Sequence, residues 1–302
     1  MKTSRRAGWT LLVMCAMWPA SGAAQVPTPA HIRETVARNL SFSLTVLDAG
    51  ARQVTLIGTI DAAMAEQFKA AVADGHVDTV VVDSYGGDIA SAMDIADLIR
   101  QRGMHVLVDG RCLSACASYL FSAAATKTVL PGSVVAIHGL TLRYPDGDQM
   151  KQATESQADE LFRSSTMVGN RDFFNRLTAR QNEFYRQLGV RSDLRDSFAR
   201  YLAHRKQLLG TDMIAAQQHA PGCPPVQMWA LDKAQLEAAG VRGIGAFWTP
   251  SGDEQKARLL RDLGLPAEFL YYGPATGLEQ LCTRPPGGIA KMKQWLARTF
   301  SR

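Results

Sequence analysis

The stretch that decides the fold is GRCLSACASYL, residues 110–120. It follows a short apolar run, Met104 to Val108, and opens an Ala-rich segment that continues to Ala125. The apolar run is typical of a buried strand, and the Ala-rich segment favours a helix. We therefore predict a strand that turns into a helix at small residues, with the hydroxyl of Ser114 at the start of that helix.

On each side of this stretch, the sequence predicts another strand that is followed by candidate functional residues. The β-branched run Val77–Val82 leads into a turn with Gly86 and Gly87, and the run Val134–Ile137 ends in His138. Strands that alternate with helices in this way predict right-handed crossovers around a largely parallel sheet, so the fold class is α/β. Ligands bind such sheets at the carboxyl ends of the strands. We expect these residues and Ser114 to share that edge.

Changes in residue composition along the chain predict how it is divided into a domain, an insertion and an extension. One domain is predicted over residues 41–247, with a C-terminal extension over 248–302. Charged, Gln-rich sequence from about 146 to 209 predicts a helical insertion of two or three amphipathic helices. This insertion is either a surface layer or the element through which copies of the chain form a homo-oligomer.

The N-terminus has the pattern of a secretory signal peptide over residues 1–24. Basic residues precede an apolar stretch, Trp9 to Trp18, and small residues follow from Ala20 to Ala24. The apolar stretch is short for a membrane span, which disfavours the alternative of an uncleaved anchor. The mature chain is therefore predicted to be exported, which in a bacterium means periplasmic.

Composition excludes some partners. The 302-residue chain is 46% hydrophobic with a formal net charge of +5, and no run of Lys and Arg indicates a nucleic-acid surface. No ATP-binding motif occurs, so an ATP-driven unfoldase would be a separate protein. We expect no cofactor and no metal.

The cysteines suggest disulfides. Without Cys15 of the signal peptide, Cys112, Cys116, Cys223 and Cys282 remain, and four cysteines in an oxidising compartment allow three connectivities. Cys223 and Cys282 lie in Pro-rich loops, which favours a bridge between them. Cys112 and Cys116 can pair only if Cys112 lies outside the helix, because helical positions i and i+4 point their Cβ atoms poorly for bridging.

The residues at the predicted edge suit nucleophilic catalysis. A serine hydroxyl needs a base to take its proton and donors that stabilise the oxyanion. Ser114 at a helix N-terminus has backbone N–H groups nearby, including that of Ala115. Gly86 and Gly87 let another N–H approach a substrate, and His138 could be the base. Taken singly, such a serine is usually a helix cap and such a histidine usually structural.

Three segments resemble the Clp protease proteolytic subunit (ClpP) and its relatives in the crotonase superfamily. They are VVVDSYGG at 80–87, GRCLSACA at 110–117 and LPGSVVAIH at 130–138. The resemblance covers about 43–140 and 228–247, and the Ser-Ala-Cys version with an export signal is similar to exported Clp-like hydrolases. It implies a ClpP/crotonase-like core of ββα units.

The resemblance also implies roles for residues. Ser114 would be the nucleophile and His138 the general base, while the N–H groups of Gly86, Gly87 and Ala115 would form the oxyanion hole. The implied substrate is a peptide or protein.

The sequence departs from the family at several positions. Tyr85 stands where the family usually has Pro, and the family's acidic third member falls at Gln227-Met228, where there is no carboxylate. Asp232 and Asp212 are the nearest candidates, and the sequence does not rank them. Lys127 is conceivable as an alternative base without a matching motif.

The sequence therefore leaves four candidate functions. The first is an exported serine hydrolase, most plainly a peptidase. The second is a non-catalytic ClpP-like scaffold or peptide-binding protein of the periplasm. A crotonase-like acyl-thioester enzyme is disfavoured by export away from coenzyme A, and a redox role of Cys112 and Cys116 is a minor alternative.

Overall fold

The computed structural model describes residues 46–49, 52–139, 141–146, 149–154, 168–191, 193–209, 224 and 226–281. The predicted signal peptide, residues 1–24, lies outside the described residues, as do Asp212, Cys223 and Cys282. Among the helices of the described residues, none is both long enough and apolar enough to traverse a lipid bilayer.

The described segments form a mixed α/β fold. The strands are β1 (Val46–Ala49), β2 (Gln53–Ile60), β3 (Thr79–Gly87), β4 (His105–Leu113), β5 (Thr126–Val129), β6 (Val134–Ile137), β7 (Thr141–Asp146), β8 (Gln149–Thr154), β9 (Met228–Ala230), β10 (Ile244–Phe247) and β11 (Leu270–Tyr272). The helices are α1 (Ala62–Ala71), α2 (Ile89–Gln101), α3 (Val168–Leu188), α4 (Asp193–Leu209), α5 (Lys233–Ala238), α6 (Gly252–Asp262) and α7 (Ala275–Gln280). A π-helix, Cys116–Phe121, follows β4 and is called the elbow helix below.

Nine of the described strands build one sheet, in the order β1-β2-β3-β4-β6-β9-β11, with β5 beside β4 and β10 beside β5. Neighbours run parallel except β1 with β2 and β6 with β9. The predicted α/β class is confirmed. The carboxyl ends of β3, β4 and β6 lie side by side, because these strands are parallel neighbours.

Strand β4 divides its pairing between two partners. Its first half, His105 to Val108, pairs with β5, and its last residues, Arg111 to Leu113, pair with β6. Gly110, between the halves, has a φ of 121°. This backbone conformation suits glycine, and it lets the strand bend so that its end reaches β6.

Local signals in the sequence explain the helix starts. Asp61, Asp88 and Asp232 each accept a hydrogen bond from the backbone N–H three residues later, at 2.7 to 2.8 Å. Such N-caps satisfy amides that have no partner within the helix. The first two helices and the elbow helix bury apolar residues in the main core, whereas α6 contributes Leu259 and Leu260 to a second apolar cluster.

Part of the predicted helical insertion is wrong. The expected helical region began near 146, but the described residues 149–154 form strand β8, which pairs antiparallel with β7 (residues 141–146) apart from the main sheet. Thr141, Leu142 and Tyr144 favour a strand. The helices that the structure describes within the insertion are α3 and α4.

Candidate active site

Ser114 lies where β4 turns into the elbow helix. Leu113 is the last strand residue, and Ser114 has a φ of 55°, the one positive φ of a non-glycine residue in the described part of the chain. Its N–H donates to the carbonyl oxygen of Ala136 on β6 at 2.9 Å, and its own carbonyl accepts from Ser118 N at 2.9 Å. A serine at a left-handed turn between strand and helix projects its hydroxyl away from the strand's ladder.

His138 follows β6 and meets Ser114. Its Nε2 lies 2.6 Å from Ser114 Oγ, and its Nδ1 lies 2.5 Å from the carbonyl oxygen of Gly139. A carbonyl oxygen can only accept, so Nδ1 carries the proton and Nε2 accepts from the serine hydroxyl. Adjacent parallel strands thus bring two residues 24 positions apart to hydrogen-bonding distance.

The glycine turn at the end of β3 contains a bulge. Gly58 on β2 pairs with Ser84, but Thr59 pairs with Gly86, so Tyr85 is the extra residue. Ser84 Oγ donates to Gly58 O at 2.6 Å and accepts from Gly86 N at 3.0 Å. A side-chain hydroxyl therefore replaces one rung of the ladder, and the Gly86 amide is engaged by it.

Gly86 packs directly on the turn that carries Ser114. A Cβ added at Gly86 would lie 2.5 Å from Leu113 O, 2.8 Å from Ala115 N and 2.8 Å from Ser114 Cβ. The φ of Gly86 is 86°. Both the conformation and the contact thus require glycine.

The two remaining amides of the predicted oxyanion hole flank this contact. Asp88 N donates to Ile60 O on β2 at 2.8 Å. Successive N–H groups of a strand point to opposite sides, so the N–H of Gly87, one residue earlier, points away from β2. Ala115 is the N-cap residue of the elbow helix, and amides at the start of a helix lack a carbonyl one turn earlier. Of the three predicted donors, Gly86 is the one whose N–H has a side-chain acceptor.

A buried ion pair joins β3 to β4 close to the site. Asp83 on β3 accepts from Arg111 Nε at 2.7 Å, from Arg111 Nη2 at 3.0 Å and from Arg111 N at 2.9 Å. The two side chains are 6% (Arg111) and 3% (Asp83) exposed. Gly110 leaves room for the pair, since a Cβ there would lie 2.7 Å from the Asp83 carboxyl carbon.

Tyr85, at the family's Pro position, covers this ion pair. The Arg111 guanidinium lies 4.1 Å from the centre of the Tyr85 ring and also hydrogen-bonds the Tyr85 hydroxyl. Burial raises the pKa of that hydroxyl, an effect that the Arg111 charge opposes. Burial alone would lower the pKa of Arg111, but the hydrogen bond and charge of Asp83 raise it, so the guanidinium stays charged.

The cysteines beside Ser114 form a disulfide. Cys112 and Cys116 are bridged with their Cα atoms 5.1 Å apart, and both residues are fully buried. Cys112 lies in β4 and Cys116 begins the elbow helix. Cys112 is therefore outside the helix, which is the condition for pairing given in the sequence analysis. The suggested partner bridge, Cys223 with Cys282, lies outside the described residues.

Other candidates lie apart from Ser114 or have another partner. Lys127 is 1% exposed, and its Nζ donates to the carbonyls of Ala124 and Arg242 at 2.5 Å each; burial lowers its pKa to about 8. Asp232 accepts from Gln235 N at 2.8 Å as the cap of α5. In the part of the chain that the structure describes, no group of three or more His, Cys, Asp or Glu side chains could hold a metal ion.

The sequence missed the groups that support the site. Ser84 fills the bulge, and Ser133 accepts from Gly110 N at 2.8 Å through its hydroxyl. The ion pair between Asp83 and Arg111 was also missed. Both residues lie just beyond the predicted ends of their strands, where a charged residue is typical of a loop, so the sequence carried no signal that would pair them.

Comparison with known proteins gives likenesses among solved structures but none among families or curated sequences. No protein-family model and no curated protein sequence matches the chain. Among solved structures, a mutant of the 1510-N membrane-bound stomatin-specific protease is similar to it with a TM-score of 0.36 and 13% sequence identity, over 73% of this chain and 95% of that chain.

Proposed function

We propose that this protein is a ClpP-like serine hydrolase that cleaves peptide bonds in peptides or proteins. The observation that carries the proposal is the 2.6 Å distance between Ser114 Oγ and His138 Nε2, with Ser114 held at a left-handed turn. A serine within hydrogen-bonding reach of an oriented imidazole is the arrangement that activates a hydroxyl for attack.

The proposed reaction follows from the direction of these groups. Ser114 Oγ attacks the substrate carbonyl carbon while its proton moves to His138 Nε2. The negative charge that develops on the carbonyl oxygen is stabilised by the N–H groups of Gly87 and Ala115. The imidazolium then protonates the leaving amine as the carbon–nitrogen bond breaks, and water, deprotonated by His138, releases the acyl group from Ser114.

A backbone carbonyl is the partner that the structure describes for His138 Nδ1. The carbonyl of Gly139 accepts from Nδ1 and fixes the tautomer, as the acid does in a full triad. It carries no full charge, so it stabilises an imidazolium less than a carboxylate would.

The test is labelling with a fluorophosphonate, which reacts with activated serines. The wild type is expected to label and Ser114→Ala to lose labelling entirely, while Ser118→Ala, one helical turn further, keeps it. Retained labelling of Ser114→Ala would refute the assignment. All three proteins must give the same circular dichroism spectrum for the comparison to count.

The second candidate is a non-catalytic peptide-binding protein. It is favoured by the engagement of the Gly86 amide with Ser84 Oγ, which removes one donor from the predicted oxyanion hole. Absence of labelling in folded, oxidised wild type, together with binding of a peptide library, would support this alternative.

The setting of the protein is part of the proposal. The pattern of residues 1–24 and the disulfide, a bond that persists in oxidising compartments, support export to the periplasm. Self-association through the helical insertion is part of the proposal on the amphipathic pattern of its sequence alone. The proposed enzyme works without nucleic acid, cofactor or an ATPase of its own.

A further inference from the structure

The Cys112–Cys116 disulfide encloses the nucleophile turn. It joins the strand end to the first residue of the elbow helix, across a sequence separation of four, with Ser114 midway between the two cysteines. Stabilisation through the entropy of the unfolded chain increases with the length of the closed loop. A bridge that closes so short a loop gives the least stabilisation by that route. This favours a role for the bridge in the local structure of the turn.

Ser114 has a conformation that needs support. An L-residue in the left-handed region has its Cβ close to the following carbonyl oxygen, and serine prefers other regions. Hydrogen bonds fix this residue on both sides, from its N–H to Ala136 O and from Ser118 N to its carbonyl. The disulfide adds a covalent constraint across the same turn and fixes the distance between its ends.

We propose that the disulfide is a positioning element that holds Ser114 in its left-handed conformation, so that loss of the bond slows the reaction of Ser114 without unfolding the protein. This inference rests on the proposed function. Reduction by a dithiol transfers two electrons and two protons to the bridge, giving two cysteine thiols and the oxidised, disulfide form of the reagent. Activity would then depend on an oxidising compartment.

The kinetic test compares oxidised wild type with the double variant Cys112→Ala/Cys116→Ala. The left-handed conformation of a non-glycine residue has a cost that corresponds to about 5- to 30-fold in population. We therefore expect fluorophosphonate to label the double variant about 5- to 30-fold more slowly, with the oxidised wild type as reference.

The reductant provides a second comparison. Because both cysteines are buried, reduction by dithiothreitol is verified by alkylation and mass spectrometry. Reduced wild type should label as slowly as the double variant, and the double variant should not respond to the reagent. The matched control Cys223→Ala/Cys282→Ala should respond as the wild type does.

A structural measurement separates this inference from the proposed function. Hydrogen exchange of a peptide covering residues 110–120 reports the amides of Ser114 and Ser118 whether or not the serine is catalytic. Loss of the bridge should accelerate exchange there and leave peptides from β2 and β3 unchanged. If oxidised wild type does not label but this local effect is present, the proposed function fails and the positioning role stands.

Two results would overturn the inference. One is equal labelling rates and equal exchange with and without the bridge. The other is accelerated exchange throughout the chain with loss of cooperative unfolding, since the bridge would then act on global stability and not on the turn.

Discussion

Gly86 is the residue whose replacement tests the contact between the glycine turn and the turn that carries Ser114. In Gly86→Ala the new Cβ meets the backbone at Leu113 O and Ala115 N, so the two turns must separate. A displacement on the order of 1 Å in an active site can slow a reaction about 100-fold. We expect the fluorophosphonate labelling rate of Gly86→Ala to fall by about that factor.

Gly132 supplies the matched control for this change. Its φ of 80° is close to that of Gly86, but a Cβ there has open space within 4 Å. Gly132→Ala should lose about 1–2 kcal/mol of stability from backbone strain alone and label at the wild-type rate. If Gly86→Ala and Gly132→Ala label at similar rates, the effect at Gly86 comes from backbone strain and not from the contact with the turn that carries Ser114.

Single residues also show what the sequence could predict about the site. Ser114 and His138 were predicted because each follows an apolar strand, and parallel neighbours place strand ends together. The engagement of the Gly86 amide was not predictable, because it depends on a bulge at Tyr85 and on the rotamer of Ser84. Bulges arise from the pairing of two strands and leave no local pattern.

Between elements, the buried ion pair fastens β3 to β4 just below the two turns. Asp83→Asn keeps the shape of the side chain but removes the charge that compensates Arg111. Breaking one side of a buried pair typically costs about 3–5 kcal/mol, because a charge is left without compensation in the interior. We expect a loss of that size in the free energy of unfolding, measured by urea denaturation.

The control for this variant is an ion pair at the surface. Arg52 and Asp78 have side chains that are 77% and 49% exposed. Water solvates both charges, so Asp78→Asn should change stability far less than Asp83→Asn. Equal effects of the two substitutions would contradict a structural role for the buried pair.

The predicted elements differ in accuracy for a physical reason. β6 has its predicted bounds, Val134–Ile137. All of its paired residues belong to one apolar run, which begins after Pro131-Gly132 and ends before His138. β3 and β4 extend beyond their predicted ends, to Gly87 and Leu113, through glycine and charged residues that are typical of loops. Pairing with neighbouring strands overrides local preference in these extensions.

At the scale of the whole molecule, the C-terminal extension packs against the strands that carry the candidate site. β11 pairs in parallel with β9 and so adds a strand to the main sheet. One apolar cluster joins extension residues, among them Leu259 and Leu260, to Leu113, the residue before Ser114. The carbonyl oxygen of Leu263 also lies 3.5 Å from Arg111 Nη1.

These contacts make the predicted boundary at 247/248 testable. A chain that ends at residue 247 would expose the apolar residues of this cluster to water, and burial of such surface is the main stabilising contribution in folding. We expect this shortened chain to lose cooperative thermal unfolding and to aggregate, as measured by calorimetry and size-exclusion chromatography. A chain that ends at residue 281 keeps β11 and α7 and should retain the transition. If the chain ending at 247 unfolds at the same temperature as the longer one, residues 41–247 form an independent domain and the extension contributes nothing to the support of Ser114.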